Sequence, residues 1–294
     1  MYQVKRYKHP QQEMIMQAPA TPPLKLIFKG RLDFGSQRTY DMVLKHWQTR
    51  IETYFKSDIL FTAEQVFSPD ELTLSVPHPQ QMVMSTEKHW RSTTSLLQEV
   101  AQYAVMGNLG AWRVESGRIL EQIKIEPSSD KASVAMYRQG CALVQEGGMT
   151  EASEALNIAI EKYERHALAY ERRGYVNYKL KNFKDALYDF SKSIDLYPNN
   201  PEPYYGRGKV KMLKNEWDGA AQDFDHTIKR SLPLQHIYWL ARLRKGESLH
   251  HGKKYSEAIA ELKLFLQRTF AETDPNFRYR SKAEYLLAES QKML

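Results

Sequence analysis

The sequence predicts an α+β domain followed by an all-α solenoid of four helix hairpins closed by a capping helix. Three observations carry this expectation. A glycine, aromatic, alanine pattern returns every 34 residues through the second half. In the first half, short stretches with period-two alternation exchange with longer ones at helical period, in the order β-α-β-β-α-β-β. Between the halves lies EPSSDKAS, 126–133, a short polar joint that allows little independent motion.

Composition frames the rest. A chain of 294 residues is long enough for two domains. Hydrophobic residues make up 42% and charged residues 26%, the balance of an ordinary globular protein. The formal charge is +7, shared by both halves, which permits an acidic partner without requiring nucleic acid. No apolar run approaches the roughly 20 residues of a transmembrane helix. The opening residues lack the apolar core of a secretory signal. Cys141 is the lone cysteine, so neither an intramolecular disulfide nor a cysteine metal site is expected. Together these predict a cytoplasmic protein.

Residues 1–23, rich in proline and glutamine, read as a flexible arm before the 24–126 domain. LKLIFKGRL is a strand with Leu26, Phe28 and Leu32 on one face. Residues 39–55 form a helix whose apolar positions are Met42, Val43, Trp47, Ile51 and Tyr54. DILFTAEQVF and ELTLSVP read as two strands around Ser68-Pro69-Asp70. Residues 85–107 form a second helix, opened by Ser85 without the acidic partner of a full capping box. GAWRVESGRILEQIKIEP is a hairpin turning at Glu115-Ser116-Gly117. The expected arrangement is a split β-α-β sheet with an added edge strand.

The repeats follow. Gly140, Gly174 and Gly208 are 34 residues apart, as are Met149, Phe183 and Trp217, and Ala152, Ala186 and Ala220. A fourth unit, at Gly246, Tyr255 and Ala258, keeps the internal spacing but starts four residues late, so a short insertion precedes it. In the best unit, 167–200, Tyr170, Gly174 and Tyr178 share one helix face, and Ala186, Phe190 and Ile194 share another. Lys181-Asn182 makes the turn, and Pro198 ends the second helix. A mid-helix glycine costs about 1 kcal/mol relative to alanine, so its recurrence points to close helix packing.

This spacing and skeleton resemble the tetratricopeptide repeat, with units 133–166, 167–200, 201–234 and 239–272 and a cap at 275–294. The resemblance covers 133–294. It implies a superhelix whose first helices line a concave groove for a protein or peptide partner. Carried over position by position, the partner-binding residues are Tyr137, Arg138, Arg172, Tyr175, Tyr178, Lys179, Tyr205, Lys209 and Arg244. Tyrosine and arginine are frequent interface anchors, and the basic rim suits a partner with acidic flanks. The places that clamp a chaperone's C-terminal carboxylates in this family hold Tyr137, Cys141, Arg172, Glu202 and Gly206 here, and none matches.

No nucleotide-binding, zinc-protease or nucleophile-elbow motif is present, and the carboxylates suggest no acid/base pair. Adjacent His250 and His251 point about 100° apart on a helix and cannot share one metal. His46 and His89 lack a third ligand, and Cys141 reads as a packed small residue. The expectation is therefore a non-enzymatic, cofactor-free and metal-free adaptor, with the N-terminal domain as a second contact to an assembly. The alternative is a nucleic-acid- or ribosome-associated factor using the basic surface. KLIFKGRLDFG interleaves cations with phenylalanine, but no strand carries the signature of an RNA-recognition sheet.

Overall fold

In a computed structural model the structure describes residues 25–83, 86–115 and 118–294. The arm 1–23, Ser85 and the Ser116-Gly117 turn fall outside them. The first unit runs β1 (Lys25–Asp33), α1 (Gln37–Arg50), α2 (Ala63–Val66), β2 (Phe67–Ser68), β3 (Thr73–Val83), α3 (Glu87–Ala101), β4 (Met106–Glu115) and β5 (Arg118–Ile125). The sheet order is β2-β3-β1-β4-β5 with every neighbouring pair antiparallel. That is the expected split β-α-β arrangement, with β5 as the added edge strand.

Local chemistry moves several boundaries. Residues 58–67 do not form the expected strand. Thr62 and Gln65 make a reciprocal capping box that winds Ala63–Val66 into a helical turn, and only Phe67–Ser68 pair with β3. Met42 stands exposed on the first helix while Val43 and Trp47 are buried, and the helix then relaxes into a wider π turn over Ile51–Phe55, where Tyr54 is exposed. The second helix ends at Ala101 rather than 107. Met106 and Gly107 already belong to β4, where Gly107 at φ 127 lies against the backbone of Arg31 too closely for any side chain.

One sheet face packs on α1 and α3 through Leu26, Phe28, Leu32, Val43, Trp47, Trp90, Leu96 and Leu97. The other face is covered as well. Ile27, Trp112 and Val114 meet Leu232 and Leu234, and Met106 meets Ala167, Leu168 and Tyr197. The sheet is thus a middle layer, and β1 is buried on both sides along nearly its whole length. Polar groups on the repeat-facing side make specific contacts: Tyr163 donates to Asp33 at 2.7 Å, Arg31 donates to Asp33 at 3.3 Å, and the Lys29 ammonium donates to the Arg230 carbonyl.

The helical half is the expected array of paired helices: α4 (Ala132–Glu146) with α5 (Met149–Lys162), α6 (Ala167–Lys179) with α7 (Phe183–Leu196), α8 (Pro201–Leu213) with α9 (Trp217–Arg230), and α10 (His236–His251) with α11 (Tyr255–Gln267). The cap α12 (Arg280–Lys292) begins later than expected, after a 3-10 turn at Phe277–Tyr279. The recurring glycine has a direct cause. A Cβ at Gly140, Gly174, Gly208 or Gly246 would meet Leu156, Phe190, Phe224 or Leu262 at 2.7–2.9 Å. The hairpin turns repeat too. Gly147, Lys181, Asn215 and Lys253 all take positive φ, and the next residue's N–H bonds back five residues each time, from Gly148 to Leu143 and from Asn182 to Asn177. The late start of the fourth unit is the loop carrying Leu232 and Leu234, the residues that dock on the sheet.

Candidate functional site

The sheet rests on one edge of the stack, where first helices begin and second helices end, and its strands β4 and β5 overhang the concave face. A chamber of about 570 Å³ lies between them. Lys29, Asn108, Gly110, Trp112, Gln122 and Lys124 form the sheet wall. Tyr137, Glu171, Arg172, Tyr175, Tyr205 and Lys209 form the helix wall, and Asn199 to Glu202 close one side. Arg172 and Lys209 come from first helices of adjacent units, α6 and α8.

Of the nine residues carried over from the repeat family, Tyr137, Arg172, Tyr175, Tyr205 and Lys209 line this chamber. Arg138 joins Tyr137, Cys141, His166 and Arg172 around a neighbouring cavity of about 460 Å³. Tyr178 and Arg244 join Lys209, Met212, Trp217 and His251 around a third, of about 280 Å³. Lys179 stands exposed beside them, its ammonium 5.9 Å from the Tyr175 ring. The residues share one face, but five of the nine stand under a roof that sequence spacing does not reveal.

Lys209 sits among three tyrosines, its Nζ 4.2 Å from the Tyr178 ring centre, 5.4 Å from Tyr205 and 5.7 Å from Tyr175. Burial, then Arg244 and Lys179, bring its ammonium down to about 8. Burial and Arg230 bring Lys29 to about 8 as well. Glu202 touches the chamber's solvent, yet the surrounding protein and the nearby Glu171 carboxylate push it up to about 7. Burial also raises Glu171, whose charge in turn holds Arg172 firmly protonated. Among the described residues, no ion pair or hydrogen bond engages the side chains of Glu171, Arg172, Glu202 or Lys209, and the buried Arg172 Nε has no acceptor.

The second cavity holds no poised nucleophile. Burial raises the Cys141 thiol, and burial lowers the neighbouring His166 to about 3, leaving it neutral. His166 instead caps α6, its Nδ1 accepting from the Ala169 N–H at 3.1 Å, with its ring 4.9 Å from Tyr137. A histidine whose folded pKa is depressed contributes stability above its unfolded value near 6.5, and that contribution is lost as pH falls. Between pH 7 and pH 5 the wild type is therefore expected to lose about 2 kcal/mol relative to His166→Asn, which keeps a capping acceptor without the titration. Urea unfolding of both proteins at the two pH values checks this, and parallel pH profiles would refute it.

The four histidines weighed in the sequence have local partners. His46 meets Glu99 at 3.4 Å, His89 meets Thr86 at 2.8 Å, His250 meets Ser290 at 2.9 Å, and His251 stacks on Trp217.

Residues 137–201 match the family model for the tetratricopeptide repeat. Among solved structures, the chain is similar to YrrB, described as a TPR protein with an unusual peptide-binding site, at 18% identity over 55% of this chain and 78% of that one, with a TM-score of 0.47. PilF of Pseudomonas aeruginosa matches at 17% identity over 55% of this chain and 69% of its own, with a TM-score of 0.46. The first TPR of Spaghetti (RPAP3), solved with an HSP90 peptide, matches at 16% identity over 44% of this chain and 96% of its own, with a TM-score of 0.37.

Proposed function

We propose that this chain, a tetratricopeptide-repeat protein, is a non-enzymatic cytoplasmic scaffold that seats a segment of a protein partner on the unroofed part of its concave face. The observation that supports this reading is the row of accessible anchors beyond the sheet. Tyr178, Met212, Trp217 and Arg244 line one cavity, with Leu213 57% exposed on its rim and Lys179 exposed beside it. Aromatic bodies with polar ends, next to cations, suit a segment with apolar anchors and acidic flanks. The sheet offers a second contact, since the edge strand β5 exposes Ile119 and Leu120.

No helix among the described residues is long and apolar enough to cross a membrane. The test is quantitative affinity capture from native lysate with the full chain and the double variant Lys179→Glu, Leu213→Glu. Both side chains are exposed, so thermal unfolding should be nearly unchanged. Recovery of the partner should fall at least tenfold. Equal recovery from wild type and variant would overturn the assignment of the groove.

A further inference from the structure

We propose that the roofed chamber is a separate binding site for a small multivalent oxyanion, a free molecule carrying two carboxylate or phosphate groups. Its cations come from opposite walls. Lys29 and Lys124 stand on the sheet, Arg172 on α6 and Lys209 on α8. The carboxylates facing them are Glu171 and Glu202, so the wall carries an excess of positive charge. Lys124 has a salt-bridge partner at 2.7 Å in Glu126, and Lys29 has a backbone carbonyl. Arg172 and Lys209 have neither among the described residues, and Arg172 Nε is buried without an acceptor. Unpaired charge walled in by protein is costly, and a ligand of opposite sign is the group that offsets the cost.

The titration behaviour agrees with this geometry. Burial and neighbouring cations hold Lys29 and Lys209 below their ordinary range, which is the response of cations gathered without enough counter-charge. A volume of about 570 Å³ admits a small molecule, and groups on both walls can each take one anionic end. A guanidinium binds carboxylate and phosphate by the same forked geometry, so the ligand class is the shared oxyanion.

Calorimetry on the full chain with citrate, with pyrophosphate and with acetate tests the proposal. Saturable one-to-one binding of at least one multivalent anion is expected, with acetate at least tenfold weaker. Whichever of citrate and pyrophosphate binds tighter identifies the head group. Arg172→Ala and Lys209→Met should each weaken that binding at least tenfold. Raising the pH from 7.5 to 9.5 should weaken it further, because Lys29 and Lys209 lose their protons. Leu213→Ala, on the exposed rim of the partner groove, should still bind, which separates this site from that groove. Absence of binding by both multivalent anions would overturn the proposal, as would equal binding of acetate or affinity unchanged in a folded Arg172→Ala or Lys209→Met protein.

Discussion

Phe190→Ala is expected to lower the unfolding free energy by about 3–5 kcal/mol, although it removes one side chain from a long array. The ring is 2% exposed and belongs to two units at once. It fills the space left by Gly174 in its own hairpin and by Gly206 in the next, where a Cβ would come within 2.9 Å and 2.4 Å of it. It also packs with Val210, Tyr175 and Tyr178. In a solenoid each unit is held only by its neighbours, so one cavity here weakens both the hairpin and its junction with α8. Phe190→Leu leaves most of the volume filled and should recover more than half of the loss. Equilibrium unfolding in urea measures both, and an Ala cost below about 1 kcal/mol would show that the Gly174 and Gly206 gaps close without the ring.

The same residue shows what the sequence makes legible. Gly174, Ala186 and Phe190 interlock within one hairpin, so their spacing reports a local contact that recurs unit by unit. The buried face of the first strand was legible for a similar reason, since alternation at Leu26, Phe28 and Leu32 reports the side turned to α1 and α3. The contact between the halves was not. Ile27, Trp112 and Val114 turn to the other face and meet Leu232 and Leu234 across a long separation in sequence. The sole trace of that contact is the four-residue delay before Gly246, which reads as an insertion without a purpose. Of the four hairpin turns, the one at Lys181-Asn182 was legible and the other three were not. Only the first of the four left-handed positions is a glycine; Asn215 tolerates that conformation, while Lys181 and Lys253 hold it against their own preference. Of the candidate site, the family resemblance places Tyr175, Tyr205 and Lys209 on one face, but it cannot show a roof supplied by another part of the chain.

A second large effect is expected at the clips between helices, and here two repeats of one motif should respond unequally. Arg173 donates twice to Asp189, at 3.0 Å and 2.6 Å, and once to Asn157 of the preceding unit at 2.7 Å. Thirty-four residues later Arg207 donates twice to Asp223, at 3.0 Å and 2.8 Å, and once to Ser191 at 3.1 Å. Both aspartates are 1% exposed. Removing one partner of a buried pair leaves a bare charge, which costs about 3–5 kcal/mol. Arg173→Met should reach that range, because Asp189 keeps only the neutral Asn177 amide at 3.0 Å. Arg207→Met should cost less than half as much, because Lys211 stays 2.7 Å from Asp223 and supplies the missing charge. The double variant Arg173→Met, Asp189→Leu removes the charge along with its partner and should regain most of the stability lost by Arg173→Met alone. Urea unfolding of the four proteins checks the ordering. Equal losses at Arg173 and Arg207 would mean that desolvated charge is not what makes the clip costly to break, and that packing of the arginine stems against Tyr170 and Tyr204 carries the effect instead.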